Sequence, residues 1–143
     1  LTNAKIEYII YIQYIGGENM DIIISNRGDV PIYEQIEEQI KSMILNGQMK
    51  EGDALPSMRL LAKELKISLI TTKRAYEDLE REGYIQSFTG KGSFVSKINE
   101  SSVREKILFE IQESFEPAVL KAKSASIGKE ELLEIIDLLY DAR

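Results

Sequence analysis

Apolar residues recur at helical spacing from position 32 onward. Ile32, Ile36, Ile40, Met43 and Ile44 step by three and four, which predicts a helix opened by Pro31 and stopped near Gly47. Residues 47–56 then read as a loop closed by Pro56. Ser57 is placed as the N-cap of a short second helix whose apolar positions are Leu60, Leu61 and Leu65. Ser68 caps a third helix that runs to about Glu82, buries Ala75, Tyr76 and Leu79, and ends at Gly83. Beyond that glycine the texture changes to strand. Tyr84–Phe88 reads as one strand, Thr89-Gly90-Lys91-Gly92 as a tight turn, and Ser93–Ser96 as the returning strand.

The two ends differ from this middle. Ile6–Ile15 is apolar apart from Glu7 and Gln13, and it is too short to span a bilayer. Ile15-Gly16-Gly17-Glu18-Asn19-Met20 back-translates permissively to a purine-rich AGGAGG sequence just upstream of an ATG codon. Residues 1–19 are therefore expected to be a translated leader with Met20 as the natural start, or a disordered extension; an extra β-strand is the alternative. Ile22–Ile24 is a short β-prone run, and Asn26–Asp29 is turn chemistry.

After residue 97, Ser102 and Glu105 are spaced as a capping box. Val103, Ile107, Ile111, Phe115, Ala118 and Ala122 then form a stripe, with Pro117 expected to kink that helix. A last helix follows Gly128, and seven of its nine positions from Leu132 to Tyr140 are apolar. That is more than one buried face needs, so a second subunit is expected to cover it, with Leu132, Ile135, Ile136 and Leu139 among the contacts.

Helix, short helix, tight turn, helix, hairpin is the plan of a winged helix-turn-helix. The expected fold is mostly α with a small β-hairpin (α+β). Residues 20–97 would be the winged domain and residues 98–143 a two-helix dimerisation tail.

Composition narrows the chemistry. The chain of 143 residues has no Cys and no His. Disulfides, thiolate nucleophiles, imidazole acid–base catalysis and the usual zinc sites are excluded. No enzyme activity, cofactor or metal is expected, since scattered Glu and Lys are all that would support one. The formal net charge is -6, which taken whole disfavours nucleic acid as a partner. The acidity sits at the ends, however: residues 31–97 carry 10 basic and 10 acidic groups, and a neutral segment can still present a basic face.

The most specific residues lie in that neutral segment. Pro56-Ser57-Met58-Arg59-Leu60-Leu61-Ala62-Lys63-Glu64-Leu65 leads through Ile67-Ser68 to Thr71-Thr72-Lys73-Arg74-Ala75-Tyr76-Glu77-Asp78-Leu79-Glu80-Arg81-Glu82-Gly83-Tyr84-Ile85. Gly90-Lys91-Gly92-Ser93-Phe94-Val95 closes the unit. Over residues 30–96 this resembles the GntR family of bacterial transcription regulators, and the short tail resembles its YtrA-like branch. The resemblance implies a cytoplasmic repressor that binds a pseudo-palindromic double-stranded DNA operator as a homodimer. An unknown small-molecule effector would have to bind between the tail helices or at the dimer interface. No membrane association is implied.

A recognition helix lies in the major groove with its N-terminal residues at base edges. Ser68, Leu69, Ile70, Thr71 and Lys73 occupy that position here, and Arg59 can clamp the DNA backbone. Gly90 and Gly92 let the wing turn sharply beside phosphate and carry Lys91 at its tip. Read without the motif, Arg59 is equally a surface residue paired with Glu64, and Arg74 a partner of Asp78. Leu69 and Ile70 stand where the family often has polar residues, which shifts base readout toward thymine methyl contacts. Those two residues and the negative charge also support a different reading, a winged-helix protein-interaction module without DNA binding.

Overall fold

The computed structural model describes residues 8–13, 19–26 and 28–142. It divides into two compact units, Leu1–Ile98 and Asn99–Arg143.

The first unit begins with two antiparallel strands, β1 (Tyr8–Gln13) and β2 (Asn19–Ile24), in the register Tyr8↔Ile24 to Gln13↔Asn19. Tyr8–Gln13 is thus a strand, the alternative expected for this segment; the leader reading concerns the start codon and is untouched by the pairing. The Ile15–Glu18 stretch of the proposed leader lies outside the described residues, as does Arg27. β2 alternates as a half-buried strand should: Met20, Ile22 and Ile24 are buried, while Asp21 and Ile23 face outward.

Helix α1 (Ile32–Leu45) packs against β2 with Ile36, Ile40, Met43 and Ile44 buried. Two glutamines one turn apart on α1 satisfy the backbone at the end of β2. The Gln39 amide accepts from Ile23 N and donates to Ile23 O, both at 2.7 Å. The Gln35 amide does the same for Ser25, both at 2.9 Å. A sheet edge that would otherwise offer open donors and acceptors is closed by side chains.

Helices α2 (Met58–Leu65) and α3 (Leu69–Arg81) form with the caps the sequence spells. Ser57 Oγ accepts from Leu60 N at 3.1 Å, and Ser68 Oγ accepts from Thr71 N at 3.2 Å. The turn between them is made by Lys66 in the left-handed conformation (φ 54), with Ile67 N donating to Ala62 O at 3.0 Å. α3 packs on both α1 and α2. The core they share includes Leu61, Leu65, Ala75, Tyr76 and Leu79, with Met49 and Leu55 from the intervening loop also buried. Tyr76 Oη donates to Pro56 O at 2.7 Å, which gives a fully buried hydroxyl its partner and ties α3 to the entry of α2.

The wing is β3 (Ile85–Phe88) against β4 (Gly92–Val95), antiparallel from Ile85↔Val95 to Phe88↔Gly92. The loop before α2 adds a short rung on its other side. Leu55 N donates to Ser93 O and Gly52 N to Val95 O, both at 2.9 Å, and Ala54 bridges Phe94.

The second unit holds α4 (Glu100–Ser124) and α5 (Lys129–Asp141). The N-cap of α4 is Asn99 and not Ser102: Asn99 is extended (φ -76, ψ 95), and its Oδ1 accepts from Ser102 N at 3.4 Å. Ser102 lies inside the first turn and supplies the donor that the cap receives. α4 continues without a break through Pro117. Glu131 Oε1 accepts from Gly128 N at 3.1 Å and fixes the start of α5. Among the described residues of this unit only Ala122 is buried.

Candidate nucleic-acid interface

Three stretches of the first unit gather the residues singled out from the sequence: the start of α2, the first turns of α3, and the turn of the wing. Arg59 is exposed at the start of α2. Among the described residues no carboxylate pairs with it, so the Arg59–Glu64 ion pair does not form. Ser68, Leu69 and Ile70 are exposed at the N-terminus of α3, and Thr71 is half-buried. Thr72, next in line, is fully buried, and its hydroxyl donates to Ser68 O at 3.4 Å. Lys73 is exposed and lies 3.6 Å from Glu77 one turn on. A pair that open to solvent contributes little and leaves the ammonium available.

The wing turn needs its glycines. Gly90 (φ +76) and Gly92 (φ +102) both sit in backbone conformations that disfavour an L side chain. Lys91 N donates to Phe88 O at 3.0 Å, closing the turn with the Lys91 side chain at its exposed tip. Among the described residues Lys91, like Arg59, has no carboxylate partner.

Arg74 has a different environment. Its guanidinium lies over the Tyr33 ring, 3.7 Å from the centroid, and its Nε is 3.9 Å from Asp78. The i,i+4 spacing foretold Asp78. The Tyr33 contact joins α1 to α3, and nothing in the sequence near Arg74 signals it.

Behind that contact lies a group of charges that sequence reading did not find. Glu37 on α1 is buried, and its Oε1 has no hydrogen-bond partner. Burial first, then the hydrogen bond and like charge of Asp78, push its carboxyl up to about 7. Lys41 works against this shift. Asp78 moves the other way: burial would raise it, but hydrogen bonds from Arg81 and Glu37 and the charges of Arg81 and Arg74 hold it below the usual carboxylate range. Lys41 Nζ meets Glu82 at 3.0 Å and lies 5.5 Å above the Tyr84 ring. The spacing held one clue: Glu37 stands four residues after Tyr33 and three before Ile40, inside the apolar face of α1.

The predicted dimerisation residues fall in the second unit. Val103, Ile107, Leu132 and Ile136 are half-buried, and Ile111, Phe115, Ile135 and Leu139 are exposed. Leu108, Phe109, Leu120, Leu138 and Tyr140 are exposed as well, and the stripe read from the sequence did not include the first three. Among the described residues no helix is long and apolar enough to cross a membrane, and no cluster of acidic residues could hold a metal ion.

Comparison with known proteins agrees with this geometry. The family model described as bacterial regulatory proteins, gntR family, matches residues 32–95, from α1 to the end of the wing. The HTH-type transcriptional repressor YtrA of Bacillus subtilis (strain 168) is 38% identical over 115 residues, covering 80% of this chain and 88% of that protein. A solved GntR family transcriptional regulator from Listeria monocytogenes superposes with a TM-score of 0.64 at 27% identity, covering 78% of this chain and 96% of its own. YtrA from Sulfolobus acidocaldarius, a GntR-family transcription factor, superposes with a TM-score of 0.54 at 33% identity, covering 64% and 97%.

Proposed function

The chain belongs to the GntR family of bacterial regulatory proteins, and from that premise we propose that it represses transcription as a homodimer on a pseudo-palindromic operator. It is a DNA-binding transcription regulator, in keeping with a relative named as a repressor that matches it over most of both chains. In this reading residues 20–97 are the DNA-binding domain and residues 98–143 the dimerisation region, and the protein works in the cytoplasm, where operator DNA is.

The observation that carries the reading is the state of two cations. Arg59 and Lys91 are exposed and unpaired among the described residues, one beside the recognition helix and one at the wing tip. Lys41, Lys73, Arg74 and Arg81 each face a carboxylate. Lys50, Lys63 and Lys97 are likewise exposed without an ion pair among the described residues, so it is the placement of Arg59 and Lys91, beside the recognition helix and at the wing tip, that suits them to phosphate. Ser68, Leu69, Ile70, Thr71 and Lys73 meet the major groove, with the α3 N-terminus adding attraction for the backbone. Gly90 and Gly92 shape the wing. Val103, Ile107, Ile111, Phe115, Leu132, Ile135, Ile136 and Leu139 join the two copies. An effector, where one acts, sits between the tail helices or at the dimer interface.

A gel shift at stated salt on DNA upstream of the protein's own gene tests this. Arg59→Ala is expected to cost about 1–3 kcal/mol of binding with an unchanged melting temperature. Lys91→Ala is expected to weaken all sequences alike and to lower the salt slope by about one contact. A lowered melting temperature with unchanged binding would make Arg59 structural. Absence of any shift would leave the protein-interaction module.

A further inference from the structure

Base reading in the major groove has a short vocabulary. Arg or Lys pairs with guanine, Asn or Gln with adenine, and an apolar side chain with the methyl group of thymine. The planar, two-pronged readers are nearly missing from residues 68–74. Arg74 is the only one, and its guanidinium lies over the Tyr33 ring on α1 with Nε 3.9 Å from Asp78. Of the hydroxyls, Ser68 Oγ caps the helix, Thr71 Oγ1 lies 3.5 Å from it, and Thr72 is fully buried. Lys73 offers a point charge rather than a fork. The first turn instead presents two aliphatic side chains, Leu69 at 44% exposure and Ile70 at 80%. Ile70 is the most exposed large apolar residue described in its unit. The one apolar group on a major-groove base edge is the thymine 5-methyl.

We propose that Leu69 and Ile70 read thymine: each operator half-site presents thymine methyl groups to the first turn of α3, and packing against them supplies the sequence selectivity of that helix. This rests on the reading of α3 as the DNA-facing helix. Affinity then comes from the cations and selectivity from apolar contact, so the two respond differently to salt. The methyl contact carries no charge and releases no counterion, so it leaves the salt slope unchanged.

The test begins with duplexes selected from random DNA by the full chain. Each thymine is then replaced in both half-sites by deoxyuridine, which removes the methyl group and nothing else. The wild-type protein is expected to bind about fourfold more weakly for each contacted methyl lost, at an unchanged salt slope. Ile70→Ala and Leu69→Ala, both at exposed positions, are expected to keep the wild-type melting temperature. Each should bind thymine and deoxyuridine duplexes equally at the position it contacts. Deoxyuridine duplexes bound as tightly as thymine duplexes at every position would overturn the proposal, as would variants that keep wild-type sensitivity to the methyl. A selected sequence without a methyl effect removes this inference alone. Failure to select any sequence over random DNA removes the DNA-facing reading and this inference with it.

Discussion

The two units have comparable fractions of apolar residues and treat them in opposite ways. In the winged unit the apolar positions of α1, α2, α3 and the hairpin converge, and Ile36, Ile40, Leu61, Leu79 and Ile85 are at most 2% exposed. In the tail, α4 and α5 are well specified as helices, each with its own start signal at Asn99 or Gly128, yet only Ala122 is buried among the described residues. Phe109, Leu120, Leu138, Leu139 and Tyr140 lie open. A lone protein seldom leaves a patch of that kind in water. Local helix signals and a core are thus separate requirements. The first unit meets both within one chain; the second meets the local one, and in the function proposed here another copy completes its core.

The largest effect is expected from removing the tail's exposed apolar surface. Truncation after Lys97 is expected to leave a folded, monomeric winged domain whose operator affinity collapses while weak non-specific binding survives. Leu139→Asp should act nearly alike, because it puts an unpaired carboxylate into the proposed interface. Sedimentation of both at micromolar concentration is the measurement, and a stable dimer in either would move the contacts elsewhere.

The next effect is expected in the winged unit alone. Leu79 is fully buried, so Leu79→Ala should lower the unfolding free energy of that unit by about 3 kcal/mol. Leu139→Ala in the full chain should barely change the unfolding of the winged unit while it weakens association. Denaturant melts read at several protein concentrations separate the two. Equal, concentration-independent losses in both variants would show that the units share one core.

The smallest effect concerns Glu37, the one buried carboxyl among the described residues of that unit. Its ordinary value is 4.5 and the fold raises it to about 7. Below the ordinary value both states hold the proton. Between the two values the unfolded chain has lost it and the native state keeps it, so stability falls as pH rises through this window. Asp78, held low, contributes stability that is lost only as pH falls through its own lowered value, outside this window. Glu37→Gln keeps a donor toward Asp78 and removes the titration. Its advantage over wild type should grow by about 2 kcal/mol between pH 5 and pH 8, read from thermal melts across that range. A constant difference between the two proteins would sink this account of Glu37.

Much of the winged unit could be read one short window at a time. Ser57 and Ser68 cap the helices they precede, and Gly90 and Gly92 occupy the positive φ that the turn demands. The three- and four-residue spacing of Ile32 to Ile44 became a helix that buries Ile36, Ile40 and Ile44. These signals act within about four residues, so the chain carries them wherever it folds. The candidate site was legible for the same reason, since its residues stand at fixed spacings on those elements.

Where the local signals gave out, tertiary structure decided. Tyr8–Gln13 is a strand because β2 offers it an edge, and Gln35 and Gln39 became backbone partners because α1 lies along β2. Arg74 turned to Tyr33, and Glu37 became a buried acid, only once α1 and α3 met. The sequence by itself determined the helices, their caps, the wing and the apolar excess of the tail. The pairing of β1, the charges between α1 and α3, and the exposure of Leu69 and Ile70 were fixed by packing, because each depends on which surfaces the folded chain brings together or leaves in water.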